Sequence, residues 1–139
     1  MAGYPAVRPR PAEASPFTEP FWAATGRGEF LIQRCGACQN AQHYGRYNCI
    51  RCGSTDLSWE QASGRGTVYT FTVARRPTHP KMAGLVPYVL AIVELAEGPH
   101  VTTNLVDVEP EAVQVGMPVE VCFEDAVDGV AIPLFRPTG

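Results

Sequence analysis

From Phe30 onward the chain divides into short runs in which apolar residues alternate with polar ones or bunch together, and glycine, proline or Asp-Gly closes the runs. Such runs predict strands joined by turns. Thr67 to Ala74 puts Tyr69, Phe71 and Val73 on one face and Thr70 and Thr72 on the other. Tyr88 to Leu95 (YVLAIVEL) is apolar on both faces except at Glu94, as a strand central to a sheet would be. Glu97-Gly98-Pro99 makes a turn, and His100 to Val106 supplies a third strand. Pro110 to Val115 reads as one or two helical turns stopped by Gly116. Val119, Val121 and Phe123 then alternate with Glu120, Cys122 and Glu124 on a fourth strand. Asp128-Gly129 signals a hairpin from which Val130 to Phe135 returns as the fifth.

Five strands with a small helix between the third and fourth predict a mainly β fold, a five-stranded Greek-key barrel of the OB type; a small sandwich is the alternative. Ahead of the barrel, Thr18 can cap a short helix with Pro20 in its first turn and Gly26 and Gly28 at its end. Phe21 and Trp22 give that helix an apolar side that must dock, because so short a helix is unstable alone. Phe30, Leu31 and Ile32 form a brief strand into Cys35. Residues 1–16, rich in proline, predict an extended and mobile arm.

Composition narrows the class. The chain has 139 residues, 45% of them hydrophobic, which excludes a fully disordered protein. No stretch approaches the ~18 consecutive apolar residues of a membrane span, and Met1 to Pro20 lacks the apolar block of a secretory signal. The expectation is a soluble, cytoplasmic protein. Ten arginines accompany a single lysine, Lys81, which codon bias in a GC-rich genome suffices to explain. Charge is uneven: residues 1–60 carry a net +1, residues 61–86 a net +4 without any acid, and residues 87–139 a net −8. So acidic a second half argues against wrapping nucleic acid, while the basic island suits an anionic ligand.

Cys35-Gly-Ala-Cys38 and Cys49-Ile-Arg-Cys52 are two C-x-x-C pairs with ten residues between them. Each pair can set two thiolates on a tight turn, and two such turns complete a tetrahedron around Zn²⁺. Gly53 follows the second pair, where a positive φ is useful; Gln39 holds the matching place in the first. Disulfides fit poorly with an odd fifth cysteine, Cys122, and a redox dithiol would need a βαβ setting that is absent. Iron in the same four-thiolate site remains the electron-carrier alternative. Four cysteine ligands leave no open position, so the metal is expected to be structural, with Arg34, Arg46 and Arg51 near enough in sequence to offset its charge. Cys122 has no partnered base in the sequence and reads as a bystander.

No H-E-x-x-H, nucleophile elbow or P-loop is present, and His43, His79 and His100 carry no motif; His43 reads as a surface residue between the knuckles. The loop Arg75-Arg76-Pro77-Thr78-His79-Pro80-Lys81 joins the first two barrel strands, a common ligand loop of OB-folds. Arg75, Arg76, His79 and Lys81 are the candidates for gripping phosphates, with coenzyme A the ligand in view.

The order of features resembles the acyl-CoA-associated family that joins a rubredoxin-like zinc ribbon to an OB-fold, long catalogued as a domain of unknown function. The residues that carry the resemblance are Phe21-Trp22, Gln33-Arg34-Cys35 and the paired cysteines, then Cys52-Gly53-Ser54 with Trp59. Ser63 to Tyr69, His79-Pro80, Pro87-Tyr88, Val115 to Val119 and Pro133-Leu134-Phe135 continue it, so that it spans residues 17–137. Tyr44-Gly45-Arg46 departs from the family's proline-rich stretch there. The resemblance implies a docking helix at 17–30, a zinc ribbon at 31–60 and the barrel at 61–139. It further implies a non-catalytic companion subunit of a thiolase-fold enzyme acting on acyl-CoA, such as a steroid side-chain aldolase, a thiolase or an acyltransferase. A single-stranded nucleic-acid binder is the alternative, since zinc ribbons and OB-folds both occur in such proteins.

Overall fold

The computed structural model describes residues 15–77, 79–124 and 128–138, except for the side chains of Lys81 and Met82. All but the last two residues of the predicted 1–16 arm lie outside them. A short helix α1 (Glu19–Thr25) leads into a three-stranded sheet of order β2-β1-β3, made of β1 (Leu31–Cys35), β2 (Ala41–Gln42) and β3 (Leu57–Gln61). Strands β4 (Arg65–Ala74), β5 (Tyr88–Leu95), β6 (His100–Leu105), β7 (Pro118–Phe123) and β8 (Pro133–Pro137) close a barrel in the order β4-β5-β6-β8-β7. All its pairings are antiparallel except β6 with β8. A 3₁₀ turn at Pro110–Ala112 sits between β6 and β7, where the sequence predicts helical turns. The fold is therefore mostly β, with the zinc-ribbon cysteines ahead of a five-stranded OB barrel.

One core serves both parts. Phe21 and Ala24 are the buried apolar residues of α1, and Phe21 meets Phe30 edge-on at 5.2 Å; Phe30 in turn meets Phe135 of β8 at 6.2 Å. Those rings join Ile32 and Ala62 to Val68, Val89, Ala91, Val93, Leu95, Val101, Leu105 and Val119 in a single cluster. Each of the larger side chains among them contributes roughly 1.5–3 kcal/mol by leaving water. A second clasp closes over the helix end: the Thr25 hydroxyl donates to the Trp22 carbonyl and accepts from the Ala131 amide at 3.1 Å. Gly26 is needed beside it, because a Cβ there would run into the Gly129 carbonyl.

Several local expectations are corrected. Tyr69 does not share a face with Phe71 and Val73: the register steps between Val68 and Thr70, and this bulge leaves Tyr69 outside while Val68 is buried. Strand β5 is not apolar to the core on both faces, since Val89, Ala91, Val93 and Leu95 point inward and Leu90 is exposed. The fifth barrel strand begins at Pro133 rather than Val130, although Asp128 and Gly129 do take the left-handed φ values, 54° and 78°, of a tight hairpin turn. Strand β3 and the 3₁₀ segment Pro80–Leu85 were not anticipated. Thr18 precedes α1 without a side-chain cap bond; its hydroxyl accepts from the Ser15 amide instead.

Candidate functional site

Strand β1 delivers Cys35 to the first knuckle, and the turn after Asn48 delivers Cys49 to the second. The sulfurs of Cys35, Cys38, Cys49 and Cys52 all lie within 4.8 Å of one another, with Cys35 to Cys52 and Cys38 to Cys49 both at 3.6 Å. A tetrahedron of sulfurs about 2.3 Å from a central Zn²⁺ has edges of roughly 3.8 Å, so the four are positioned to bind a metal ion. Knuckle amides point at sulfur as well: Ala37 and Cys38 donate to Cys35, and Arg51 to Cys49, at 3.4–3.5 Å. The Cys38 amide, with that of Ala37, holds the Cys35 thiol below its ordinary range. The Cys52 and Arg51 amides bring Cys49 down to about 6. Cys52 goes up to about 12: the Ser54 amide favours its thiolate, but the crowd of neighbouring sulfurs and desolvation outweigh it. Four thiolates this close need a cation to ionise together, and a metal with all four supplied by cysteine contributes folding energy rather than an open site.

The knuckle turns mirror each other. Gly53 has φ 80° as expected, and Gln39 is driven to φ 65° at the matching place. Arg34 does not reach sulfur: it grips Glu60 across the sheet at 2.7 Å and donates to the Gln39 carbonyl at 2.9 Å, bracing the strained turn. Between the knuckles the sequence reading missed a buried amide pair. Gln42 Nε2 donates to Gln33 Oε1 at 2.8 Å, and both side chains are nearly sealed, 2% and 4% exposed. Gln33 also accepts from the Arg46 amide and donates to the Arg46 carbonyl, while Gln42 donates to the Asn48 carbonyl and accepts from the Ile50 amide. Two side chains thus fix the loop 43–50. No local pattern signalled it: Gln33 stands between Ile32 and Arg34, and Gln42 between Ala41 and His43.

His43 is half-buried rather than free at the surface. It packs against Tyr44, Phe21 and Phe30 at ring distances of 3.8, 5.2 and 5.2 Å, and desolvation brings its pKa down to about 4, so the imidazole is neutral. Beside it a groove of about 160 Å³ opens between α1, the ribbon loop and the barrel, lined by Phe21, Trp22, Tyr44, Val101 and Ile132. The Tyr44 hydroxyl accepts from the Thr102 amide of β6, tying loop to barrel. Gly45 lies where a Cβ would run into the Phe17 carbonyl and the Trp59 ring.

Arg75, Arg76 and His79 are exposed on the β4–β5 connection, far in sequence from the cysteines; Arg75 comes within 4.0 Å of Glu111, both well solvated, a pairing of little energetic weight. The side chain of Lys81 lies outside the described residues. Cys122 is buried beside Val106, Ile132 and Leu134, and burial pushes its thiol up. His100 stacks on Tyr69 at 4.4 Å and approaches Glu94 at 3.2 Å on the barrel surface. Among the described residues no helix is long and apolar enough to cross a membrane.

Comparison with known proteins follows the same division. The family described as "ChsH2, rubredoxin-like zinc ribbon domain" matches residues 22–58, and "ChsH2, C-terminal OB-fold domain" matches residues 59–124. A probable enoyl-CoA hydratase alpha subunit of Thermomonospora curvata is 42% identical over 133 residues, 95% of this chain but 40% of that protein. A DUF35 domain-containing scaffold protein of Methanocaldococcus jannaschii is 40% identical over 103 residues, 70% of this chain and 72% of that protein. The 3-oxo-4,17-pregnadiene-20-carboxyl-CoA hydratase alpha subunit of Mycobacterium tuberculosis is 34% identical over 108 residues, 78% of this chain and 34% of that protein. The chain thus spans well under half of the two hydratase subunits it matches. Among solved structures, a chain of the Ltp2-ChsH2(DUF35) aldolase superposes with a TM-score of 0.80 at 39% identity, covering 92% of this chain and 98% of that one.

Proposed function

This chain belongs to the DUF35 family, in which a ChsH2-type zinc ribbon precedes an OB-fold, and on that premise we propose that it is a non-catalytic accessory subunit of an enzyme complex acting on acyl-CoA. The observation that carries the reading is the match, over 98% of its length, to the ChsH2-type chain of a two-component aldolase. The partner is a thiolase-fold protein that supplies the catalytic residues, in an aldolase, thiolase or acyltransferase. Steroid side-chain breakdown is the setting favoured by the pregnadiene-carboxyl-CoA named for the mycobacterial relative.

The chemistry of the chain is in keeping with a companion's role. Its four clustered thiols suit a closed metal site, and His43, half-buried among aromatic rings, is held neutral. Zn²⁺ in that site supplies a cross-link between the knuckles and leaves no open position for a substrate. The exposed Arg75, Arg76 and His79, with Lys81, offer cationic and hydrogen-bonding groups suited to the phosphates of coenzyme A.

The test is reconstitution with the thiolase-fold Ltp2 homologue of the same organism. The two chains co-purify, and acyl-CoA carbon–carbon cleavage appears only when both are present. Turnover of a thioester by this chain alone, metal-stripped, overturns the reading, as does its remaining a monomer beside that homologue. Replacing Arg75 and Arg76 together by Ala lowers CoA affinity about tenfold by calorimetry; an unchanged affinity removes the loop from the proposal.

A further inference from the structure

The basic loop after β4 adjoins an uncharged trough on the outer wall of the barrel. Thr72 pairs with Leu90, and Thr70 with Ile92, which pairs in turn with Thr102 of β6. These side chains share the outer face, since Val89, Ala91 and Val93, which alternate with them on β5, point into the core. Together they line a surface trough of about 250 Å³. One further pair, Ala74 with Tyr88, lies between it and Arg75, about 7 Å of strand. No charged residue lines the trough. Its aliphatic groups, Leu90 and Ile92, run down the middle strand with threonines on either side. The hydroxyls of Thr70, Thr72 and Thr102 make no hydrogen bond among the described residues.

The two ends of the trough differ in charge. At the loop end, Glu111 faces Arg75 at 4.0 Å and offsets one of the three formal charges of Arg75, Arg76 and Lys81. The loop therefore keeps a net positive charge. At the other end His100 stacks on Tyr69 at 4.4 Å and meets Glu94 at 3.2 Å, so an anion there would face a carboxylate. A ligand laid along this wall is thus anionic at the loop and uncharged over the trough. Coenzyme A has its parts in that order: the phosphates, then the pantetheine arm, an uncharged chain of amide, hydroxyl and methyl groups that ends in the thiol. We propose that the outer wall of β4, β5 and β6 is the track for the pantetheine arm of an acyl-CoA. The threonine hydroxyls bond its amides, Leu90 and Ile92 carry its methyl groups, and the thiol end points toward His100. The proposal rests on the phosphate grip of Arg75 and Arg76 proposed above, and adds where the rest of the molecule lies and which way it runs.

The experiment titrates the full, zinc-loaded chain with CoA and, separately, with pantetheine, which lacks the phosphates, and follows amide and methyl NMR shifts. Both ligands shift residues 70–72, 90–92 and 102, and CoA alone shifts Arg75 and Arg76. Leu90→Ala with Ile92→Ala weakens both ligands about tenfold. Thr70→Val with Thr72→Val keeps the shape and strand preference of the wall and weakens both about threefold. Arg75→Ala with Arg76→Ala weakens CoA about tenfold and leaves pantetheine within about twofold. Stoichiometric zinc and a melting temperature close to that of the wild type check the folding of each variant. If CoA binds and depends on the arginine pair while neither wall pair changes it, the track is overturned and the phosphate grip stands. If a wall pair blocks co-purification with the thiolase-fold Ltp2 homologue without altering either ligand's affinity, the wall seats that partner and the track is overturned. If neither ligand binds while the two proteins still co-purify, grip and track fall together and the accessory-subunit reading survives.

Discussion

Replacing Gln33 by Leu is the sharpest probe of how the ribbon loop is held. The side chain is 4% exposed and makes three hydrogen bonds, two with the Arg46 backbone and one from Gln42. Leucine fills the space but leaves the Gln42 amide and the Arg46 N–H short of a partner. A buried polar group left unpaired costs about 1–3 kcal/mol. Arg46 sits at the surface and regains some water, so the sum comes to about 2–4 kcal/mol, a sizeable share of the roughly 5–15 kcal/mol that holds a typical domain. For a chain of this size that lowers the melting temperature by roughly 10 °C, read by calorimetry on the zinc-loaded protein. Hydrogen exchange should accelerate at residues 44–50 and not in β5. A Gln33→Leu, Gln42→Leu double variant should fall short of the summed single losses by about 1 kcal/mol, because donor and acceptor leave together. A loss below about 0.5 kcal/mol, with the loop amides as protected as in the wild type, refutes the reasoning.

Other outcomes follow from the same geometry. Cys49→Ser, or prolonged chelation, should abolish stoichiometric zinc binding by atomic absorption and collapse the ribbon amide signals; Co²⁺ added to the wild type should give the intense thiolate charge-transfer bands of a four-sulfur tetrahedron. His43, depressed to about 4, is neutral when folded, whereas the unfolded chain takes up a proton near its ordinary 6.5. Its contribution is therefore complete above pH 6.5 and is lost as pH falls from 6.5 to 4, on the order of 3 kcal/mol in all. Its ring resonances should titrate near 4, and a midpoint near 6.5 would place it outside the aromatic cluster. Gln39→Gly should relieve the φ of 65° and raise stability by about 0.5–1 kcal/mol in chemical denaturation.

What the sequence made legible was whatever obeys local rules. The cysteine spacing announced the sulfur tetrahedron, Asp128-Gly129 the left-handed turn, and YVLAIVEL a strand whose observed bounds are Tyr88–Leu95. The failures lie where tertiary contacts overrule local pattern. Gln33 and Gln42 carry no local signal until each meets the other and a loop that needs them. His43 looks like a hydrophilic loop residue until α1 and β1 bring Phe21 and Phe30 to its ring. Leu90 sits in an apolar run, yet only one wall of the barrel faces a core. The basic loop was legible as chemistry, but exposed arginines at 75 and 76 look the same whether they wait for a ligand or only for water.

The bulge at Tyr69 has a consequence for how this barrel could change over time. Strand β4 pairs with β7 only over Arg65–Thr67 and then continues along β5 to Ala74, so one ribbon of chain serves both sides of the closing seam. The extra residue is the pivot: upstream of it Val68 faces the interior, downstream of it Phe71 and Val73 do. Exchange of Tyr69 for another side chain would alter little but the outer wall. Deleting it would leave Val68, Phe71 and Val73 inward and Thr70 and Thr72 outward in the same register with β5, and would remove only the bulge and the extra twist it gives β4. Lineages descended from this chain should accordingly vary freely at that position, and those that lose the residue keep the same inward face of β4 with a straighter strand at the seam.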